Sequence, residues 1–409
     1  MSIETNNFKL YYIKKTYDFE KSVNNNIIIE LYRSNLYNKL CEKLLNKLNK
    51  YQENKIIMSN ELALDILSML IFNHNFKKSF DPLFDIESPF TIEKITDYII
   101  KKKCISYFDK SINKIIIKIF PTISEYYIKY YKRIKKKINI INEINYEITY
   151  EIISNIVIIK LEILNNILDL KYREEIKIPL HIFTHLTYLY NINILKIFDK
   201  KEVLDNKVIE YIYILFNRYH TLSSGNNQSS ILPSFKKLLK ETLNIKIELF
   251  GSSLNTSNTI FGSFFYDCEY MFGSIGNYFN TKLIRGYYEL NPIFDKCIID
   301  NIFKKSLDEL TIANNNKEAL LFCYIIPESY LKTNKLPDKI DEFLKYNILL
   351  DKKKFPYIRY SRTFNKTIVS PIVNTHIIIC NTEYINKYVK INLNNFNNLL
   401  TEWSNKIKK

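Results

Sequence analysis

The sequence predicts an α/β domain over residues 221–409 preceded by an all-α helical domain over residues 1–220, and three observations carry that reading. From Ile27 to about Tyr219 apolar residues recur at three- and four-residue spacing, the period of amphipathic helices. The segment 220–232, HTLSSGNNQSSIL, replaces that period with Ser, Asn and Gly and reads as a loop. Beyond it, short apolar runs alternate with helical patterns, which indicates a sheet of largely parallel strands covered by helices.

Taken in order, residues 1–26 are polar and Asn-rich, with a short entry strand around Phe8 to Ile13. Helices are predicted over 27–51, 60–73, 92–103, 123–142, 146–170, 180–198 and 202–219. Ser59 precedes one of them, and Thr122-Ile123-Ser124-Glu125 after Pro121 has capping-box spacing, in which hydroxyl and carboxylate satisfy free amides of the first turn. The longest apolar region, Ile152 to Leu170, carries Lys160 and Glu162 and therefore reads as a buried helix, with no membrane span. In the second unit Pro233 to Leu243 reads as a helix. Strands are predicted at 245–250, 286–290, 319–326, 357–361, 366–370 and 373–380, and helices at 295–310, 338–346 and 393–406.

The chain of 409 residues has room for two domains with substantial cores. Its net charge of +16 suggests an anionic partner such as nucleic acid. The basic excess is spread along the sequence, so no tail acts as a tether. Six cysteines (Cys41, Cys104, Cys268, Cys297, Cys323 and Cys380) are scattered without a C-x-x-C pair, and the N-terminus lacks a signal-peptide layout. An intracellular, reducing compartment, cytoplasmic or nuclear, is expected, without disulfides or a metal cluster. The abundance of Ile, Lys, Asn and Tyr is that of an AT-rich genome such as a large DNA virus or a protist, and says little about function.

Residues 250–294 stand apart. Five of the six glycines fall here, and no Lys or Arg occurs between Lys246 and Lys282 although 59 residues of the chain are basic. Glycine concentrated in this way marks sharp turns or close approach of backbone to a ligand. Ligands of such sheets bind outside the carboxyl ends of the strands. Gly251-Ser252-Ser253-Leu254 and Asn291-Pro292-Ile293-Phe294 both follow predicted strands. Alone, the second tetrad is better explained by a strand-to-helix turn with Asn as cap and Pro as first helical residue, and only the flanking motifs reverse that weighting.

The runs ELFGSSLN (Glu248 to Asn255), MFGSIG (Met271 to Gly276) and LIRGYYELNPIF (Leu283 to Phe294), followed by IIPE (Ile325 to Glu328) and VNTHIII (Val373 to Ile379), agree in motif and spacing with a known family. Over its C-terminal half the chain resembles the phosphorylated-CTD-interacting factor family, whose members are cap-specific mRNA adenosine N6-methyltransferases. The resemblance implies a Rossmann-like methyltransferase domain, S-adenosylmethionine as cofactor, and as partner the capped 5′ end of mRNA. The base methylated would be the first transcribed adenosine, already 2′-O-methylated, and no metal is needed.

By the same resemblance Phe250, Gly251, Ser252, Ser253, Asn255, Glu289 and Asn374 contact the cofactor, while Gly273, Ser274, Gly276 and Arg285 shape the RNA side of the pocket. Asn291, Pro292, Ile293 and Phe294 would carry the chemistry. The N6 amine of adenine is a poor nucleophile because its lone pair is delocalised into the ring. Acceptance of its two N–H groups by the Asn291 side chain and the Pro292 carbonyl would bias the nitrogen towards tetrahedral geometry, and Phe294 would stack on the base.

Two positions depart from the family: Ile293 stands where it has a second Pro, and Ser329 where an aromatic follows Ile-Pro-Glu. A catalytically inactive cap- or RNA-binding homologue, or a partner subunit, fits the same residues, as does an adenine methyltransferase acting on other RNA or DNA. Animal members dock on the phosphorylated polymerase II tail through a WW domain. Such a domain needs two spaced tryptophans, and this chain has Trp403 alone, so the domain is expected to be lacking and no tail docking is expected.

Two further features lie in the first unit. His181 and His185 occupy i and i+4 in HIFTH without the Glu of a zinc-binding H-E-x-x-H, and helix packing explains them better. Between Tyr126 and Lys137 tyrosines interleave with six cations. On a helix, Lys129, Lys132, Arg133 and Lys136 would share one face able to follow a phosphate backbone, or simply face solvent.

Overall fold

The computed structural model describes residues 12–15, 27–51, 144–164, 173–197, 205–222, 229–360, 366–371 and 373–407. The helices predicted over 60–73, 92–103 and 123–142, with Lys129, Lys132, Arg133 and Lys136, lie outside the described residues. The chain opens with β1 (Tyr12–Lys15) and α1 (Ile27–Tyr51). The predicted helix over 146–170 is a hairpin of β2 (Tyr146–Ile153) and β3 (Ile156–Ile163), extended by β4 (Arg173–Pro179) into a three-stranded antiparallel sheet. The first unit is therefore not all-helical.

The residues explain the difference. Val157, Ile159 and Leu161 are buried at alternate positions, the period of a strand, and β-branched side chains suit that backbone. Ser154 and Asn155 close the hairpin, with Ser154 at φ 56° as a tight two-residue turn requires. Tyr150 and Ile152, opposite Ile159 and Val157 in the register, and Ile153 beside the turn are exposed, so apolar sequence there does not mean burial.

Next come α2 (Leu180–Ile197) and α3 (Asp205–Leu222), close to prediction, and α1 packs on α3. Their shared core, with Ile28, Tyr37, Ile212 and Leu215, continues into Leu254, Phe265, Cys268 and Phe272 from beyond residue 220. A buried ionic group crosses the same boundary. The Arg218 guanidinium meets Glu30 of α1 at 3.0 Å and Asp267 at 2.6 Å, and Arg33 also pairs with Glu30.

The remaining elements are β5 (Ser230–Ile231), α4 (Pro233–Leu243), β6 (Ile247–Gly251), β7 (Phe261–Ser263), α5 (Tyr266–Glu269), β8 (Thr281–Leu290), α6 (Lys296–Asn315), β9 (Leu320–Pro327), α7 (Glu328–Thr333), β10 (Leu344–Leu350), β11 (Tyr357–Tyr360), β12 (Lys366–Val369), β13 (Thr375–Asn381) and α8 (Leu393–Lys406). Helix α4 starts at a proline and ends at Asn244 in the left-handed conformation, the two residue types those positions favour. The main sheet runs β10-β13-β9-β8-β6-β7, with β1 added antiparallel to β8.

Strands β7, β6, β8 and β9 are parallel, and β13 and β10 are antiparallel, so the sheet is mixed and the unit is α/β. The predicted helix 338–346 is a short 3-10 turn, Asp338–Glu342, followed by the edge strand β10. Helix α6 covers one face through Ile298, Ile302 and Phe303, and α4 with α8 covers the other through Phe235, Leu239 and Phe396. Among the described residues no helix is long and apolar enough to cross a membrane, and the five described cysteines are buried thiols.

Candidate active site

The parallel register decides which loops meet. Glu248 of β6 lies beside Glu289 of β8, Leu290 of β8 lies beside Tyr324 of β9, and Thr375 opens β13 opposite Pro327. The loop after β6, the turn after β8, Glu328 after β9 and Asn374 before β13 therefore share one edge of the sheet, the carboxyl edge of its parallel strands. The Gly251–Leu254 and Asn291–Phe294 tetrads, 40 residues apart in sequence, are neighbours there.

Asn291 follows the last residue of β8 and is half-buried; among the described residues its amide has no hydrogen-bond partner. The helix cap is Asp295, whose Oδ1 accepts from the amides of Cys297 at 2.9 Å and Ile298 at 3.1 Å. The tetrad thus precedes the helix, and Asn291 and Pro292 are neither its cap nor its first residue. The Ile293 carbonyl accepts from the Asp295 amide at 2.7 Å, and the Ile293 side chain packs against the cores on both sides. The ring of Phe294 meets Tyr357 at right angles, with centroids 6.1 Å apart, which fixes its orientation.

Under this turn lies a buried polar group. Glu248 and Glu289 are 5% and 2% exposed, and Lys236 from α4 donates to Glu248 Oε2 at 2.8 Å. Glu248 Oε1 and Glu289 Oε1 are buried without a partner among the described residues. Burial, reinforced by the neighbouring Glu248 carboxylate, pushes the Glu289 carboxyl well up, with Lys236 opposing. Burial lowers the Lys236 ammonium, but Glu248 and Glu289 more than offset it and hold it above its ordinary value. Gly251 makes room for this arrangement, since a Cβ there would sit 2.9 Å from Cδ of Glu248.

On α2, Nε2 of His185 is likewise buried without a partner; burial lowers its pKa, with Lys236 and Glu248 among the charges it senses. Lys236 and His185 were not expected at the site. The sequence carries a signal for the carboxylates alone, because IELF and YYEL each set one Glu among strand residues that are otherwise apolar.

The loop after β6 is held from within. Ser252 donates its amide to Asn255 Oδ1 at 3.0 Å and its carbonyl accepts from Asn255 and Thr256. Ser253, fully buried, gives both amide (2.8 Å) and hydroxyl (3.1 Å) to Glu269 Oε1, while Tyr219 of α3 donates to Oε2 at 2.9 Å. The Ser253 side chain therefore braces the loop and does not face the carboxyl edge. Burial pushes Glu269 up to about 7, although the Ser253 amide and the Tyr219 hydroxyl pull it down.

A carboxyl whose folded value lies above its unfolded one contributes stability fully present below the unfolded value, near 4.5, and lost as pH rises through about 7. Glu269→Gln is expected to remove this component, on the order of 3 kcal/mol between pH 4 and 8. Urea midpoints of both proteins across that range test it: the wild-type fall should exceed that of the variant, and parallel curves would refute it.

Four other expected contacts are placed elsewhere. Ser274 is buried, with its hydroxyl 2.6 Å from that of Ser263, and Gly276 is buried with its amide on Ser274 Oγ. Gly273, at φ +102°, lies so near Thr259 that a Cβ would come within 2.2 Å of its carbonyl oxygen. MFGSIG is thus a brace beside β7, where Ser274 bridges Phe261, and presents Ser274 and Gly276 to the protein rather than to RNA. Arg285 lies towards the opposite edge of the sheet, with Nη1 2.6 Å from the Tyr388 hydroxyl and 3.8 Å from Glu318, which precedes β9. Asn374 is at the expected edge but serves as scaffold: it donates to Glu328 Oε2 at 3.2 Å and accepts from the Lys352 amide at 2.9 Å.

Residues 185–359 match the family model described as Phosphorylated CTD interacting factor 1 WW domain. The matched stretch is under half of the chain and contains ELFGSSLN, MFGSIG, LIRGYYELNPIF and IIPE together, which supports the family resemblance. The WW domain in that description runs against the expectation that the chain lacks one, yet no tryptophan falls within the matched residues. A search of the curated proteins finds no match to this chain.

Proposed function

We propose that the chain is an S-adenosylmethionine-dependent RNA methyltransferase acting on N6 of the adenosine beside the cap. One observation carries the reading: the Asn291 amide, free of any partner among the described residues, stands with Pro292 at the carboxyl end of β8, one strand from the loop after β6. Asn291 Oδ1 and the Pro292 carbonyl accept the two N–H groups of the amine, and proline fixes φ so that its carbonyl is held in place. Tyr357 keeps the Phe294 ring set for stacking on the base.

The unpartnered oxygens of Glu248 and Glu289 suit a cationic ligand rich in hydroxyl and ammonium donors, so the residues fit S-adenosylmethionine. When bound, that group supplies the methyl on its sulfonium. Phe250, Gly251, Ser252 and Asn255 form the adjoining loop that approaches it.

A second reading, a binding homologue without activity, is favoured by Ile293, whose side chain is committed to packing where the family has proline. Incubation with labelled cofactor and RNAs beginning with A, capped or uncapped, separates the readings. Label confined to capped RNA supports the proposal, and label on both points to a different adenine substrate. Binding of capped RNA without transfer supports the inactive homologue.

A further inference from the structure

We infer that the turn Asp351–Lys354 is the surface that holds the phosphates of the RNA chain leading away from the reacting nucleotide, an inference that rests on the proposed RNA substrate. The stretch from Ile247 to Thr281 contains no Lys or Arg, so the loop after β6 and MFGSIG offer nothing to a polyanion. The charge must come from another element on the same edge. Strand β10 ends at Leu350 opposite Thr375, and Thr375 lies opposite Pro327 of β9, itself parallel to β8. The turn after β10 therefore emerges at the edge where Asn291 stands, three strand spacings away, or about 15 Å across the sheet at the usual spacing.

The turn is built to hold a shape. Lys352 donates its amide to Asn374 Oδ1 at 2.9 Å, Lys353 donates its amide to Asp351 Oδ1 at 2.8 Å, and Lys354 donates its amide to the Asp351 carbonyl at 2.8 Å. Immediately after it, Phe355 is fully buried, with its ring centroid 4.9 Å from Phe235 and 5.7 Å from Trp403. Two residues further on, Tyr357 touches Phe294, so turn and base-stacking ring are tied into one run of backbone.

Three cations of neighbouring segments are engaged. Lys332 pairs with Glu328 at 3.1 Å, Lys296 pairs with Asp300 at 3.1 Å, and the Lys354 ammonium rests on Asn405 at 3.2 Å. Lys352 and Lys353 are exposed, and among the described residues neither ammonium has a carboxylate partner. Two adjacent unpaired cations on a fixed turn, beside a site whose Lys236 is paired with Glu248, match the charge of a phosphodiester chain.

The test compares the wild type with Lys352→Gln/Lys353→Gln, using a capped single-stranded RNA of several nucleotides beginning with A and the cap dinucleotide alone. Kd is read by anisotropy over a range of salt. On the longer RNA the double variant is expected to bind more weakly, and its slope of log affinity against log salt is expected to fall by about 1.4, twice roughly 0.7 per phosphate. Affinity for the dinucleotide stays at the wild-type value. An unchanged slope with unchanged affinity overturns the inference, as does an equal loss on both ligands, which would place the lysines at the cap. Failure of the wild type to bind either RNA overturns the proposed function as well. Binding without methyl transfer overturns the proposed reaction alone and leaves the lysine comparison readable.

Discussion

Asn291→Ala is expected to lower kcat for N6 methylation by about two to three orders of magnitude, the scale on which one preorganised polar contact to a reacting group acts. Cofactor affinity should stay near the wild-type value, because the lost acceptor faces the amine and not the cofactor. The variant also isolates chemistry from folding. Asn291 is half-buried, makes no hydrogen bond to the described residues, and leaves the capping of α6 to Asp295, so truncation should change stability by no more than about 0.5 kcal/mol. Single-turnover rates with cofactor binding and a urea midpoint check all three statements. A variant with wild-type turnover would remove Asn291 from the mechanism.

How far the site could be read in advance depended on which interactions are local. The neighbourhood of the Gly251 and Asn291 tetrads was legible because two apolar runs, each ending in a turn-forming tetrad, predict parallel strands whose ends coincide. What Ser253 and Ser274 do was not legible. Their fate is set by Glu269 and Ser263, which reach them through tertiary packing, and a Gly/Ser loop reads the same whether it faces a ligand or a buried carboxylate. Arg285 is different: it stands at the amino end of the predicted strand 286–290, so its place at the opposite edge is legible from position along the strand, and the family resemblance alone assigned it to the pocket. The hairpin at 146–163 reads as helix in sequence because a run rich in Ile satisfies both periods. Ser154-Asn155 was the distinguishing signal, since two turn-forming residues between β-branched runs suit a hairpin better than a helix interior.

Arg218→Ala is expected to destabilise the fold by about 3–5 kcal/mol, because it leaves the Asp267 carboxylate buried without its paired cation, while Glu30 keeps Arg33. The Arg218 side chain is fully buried. It sends Nε to both oxygens of Glu30, at 3.1 and 3.0 Å, and Nη1 and Nη2 to Asp267, at 3.1 and 2.6 Å, with its guanidinium 5.3 Å from the Phe265 ring. It thereby ties α1 and α3 to the short helix α5, which also supplies Glu269 to the loop after β6. Burial raises the Asp267 carboxyl, but Arg218 outweighs it and holds the group below its ordinary value. For a depressed carboxyl, stability is present above the unfolded value, near 3.8, and lost as pH falls through the folded one.

Removing Arg218 reverses the sign. Burial then dominates at Asp267, and stability should be gained as pH falls from neutrality towards 4. Urea midpoints at pH 5 and pH 8 distinguish this from a simple packing defect. Relative to the wild type, the variant's deficit should be clearly smaller at pH 5 than at pH 8. A deficit equal at both values would show that packing, and not the stranded Asp267 carboxylate, accounts for the loss.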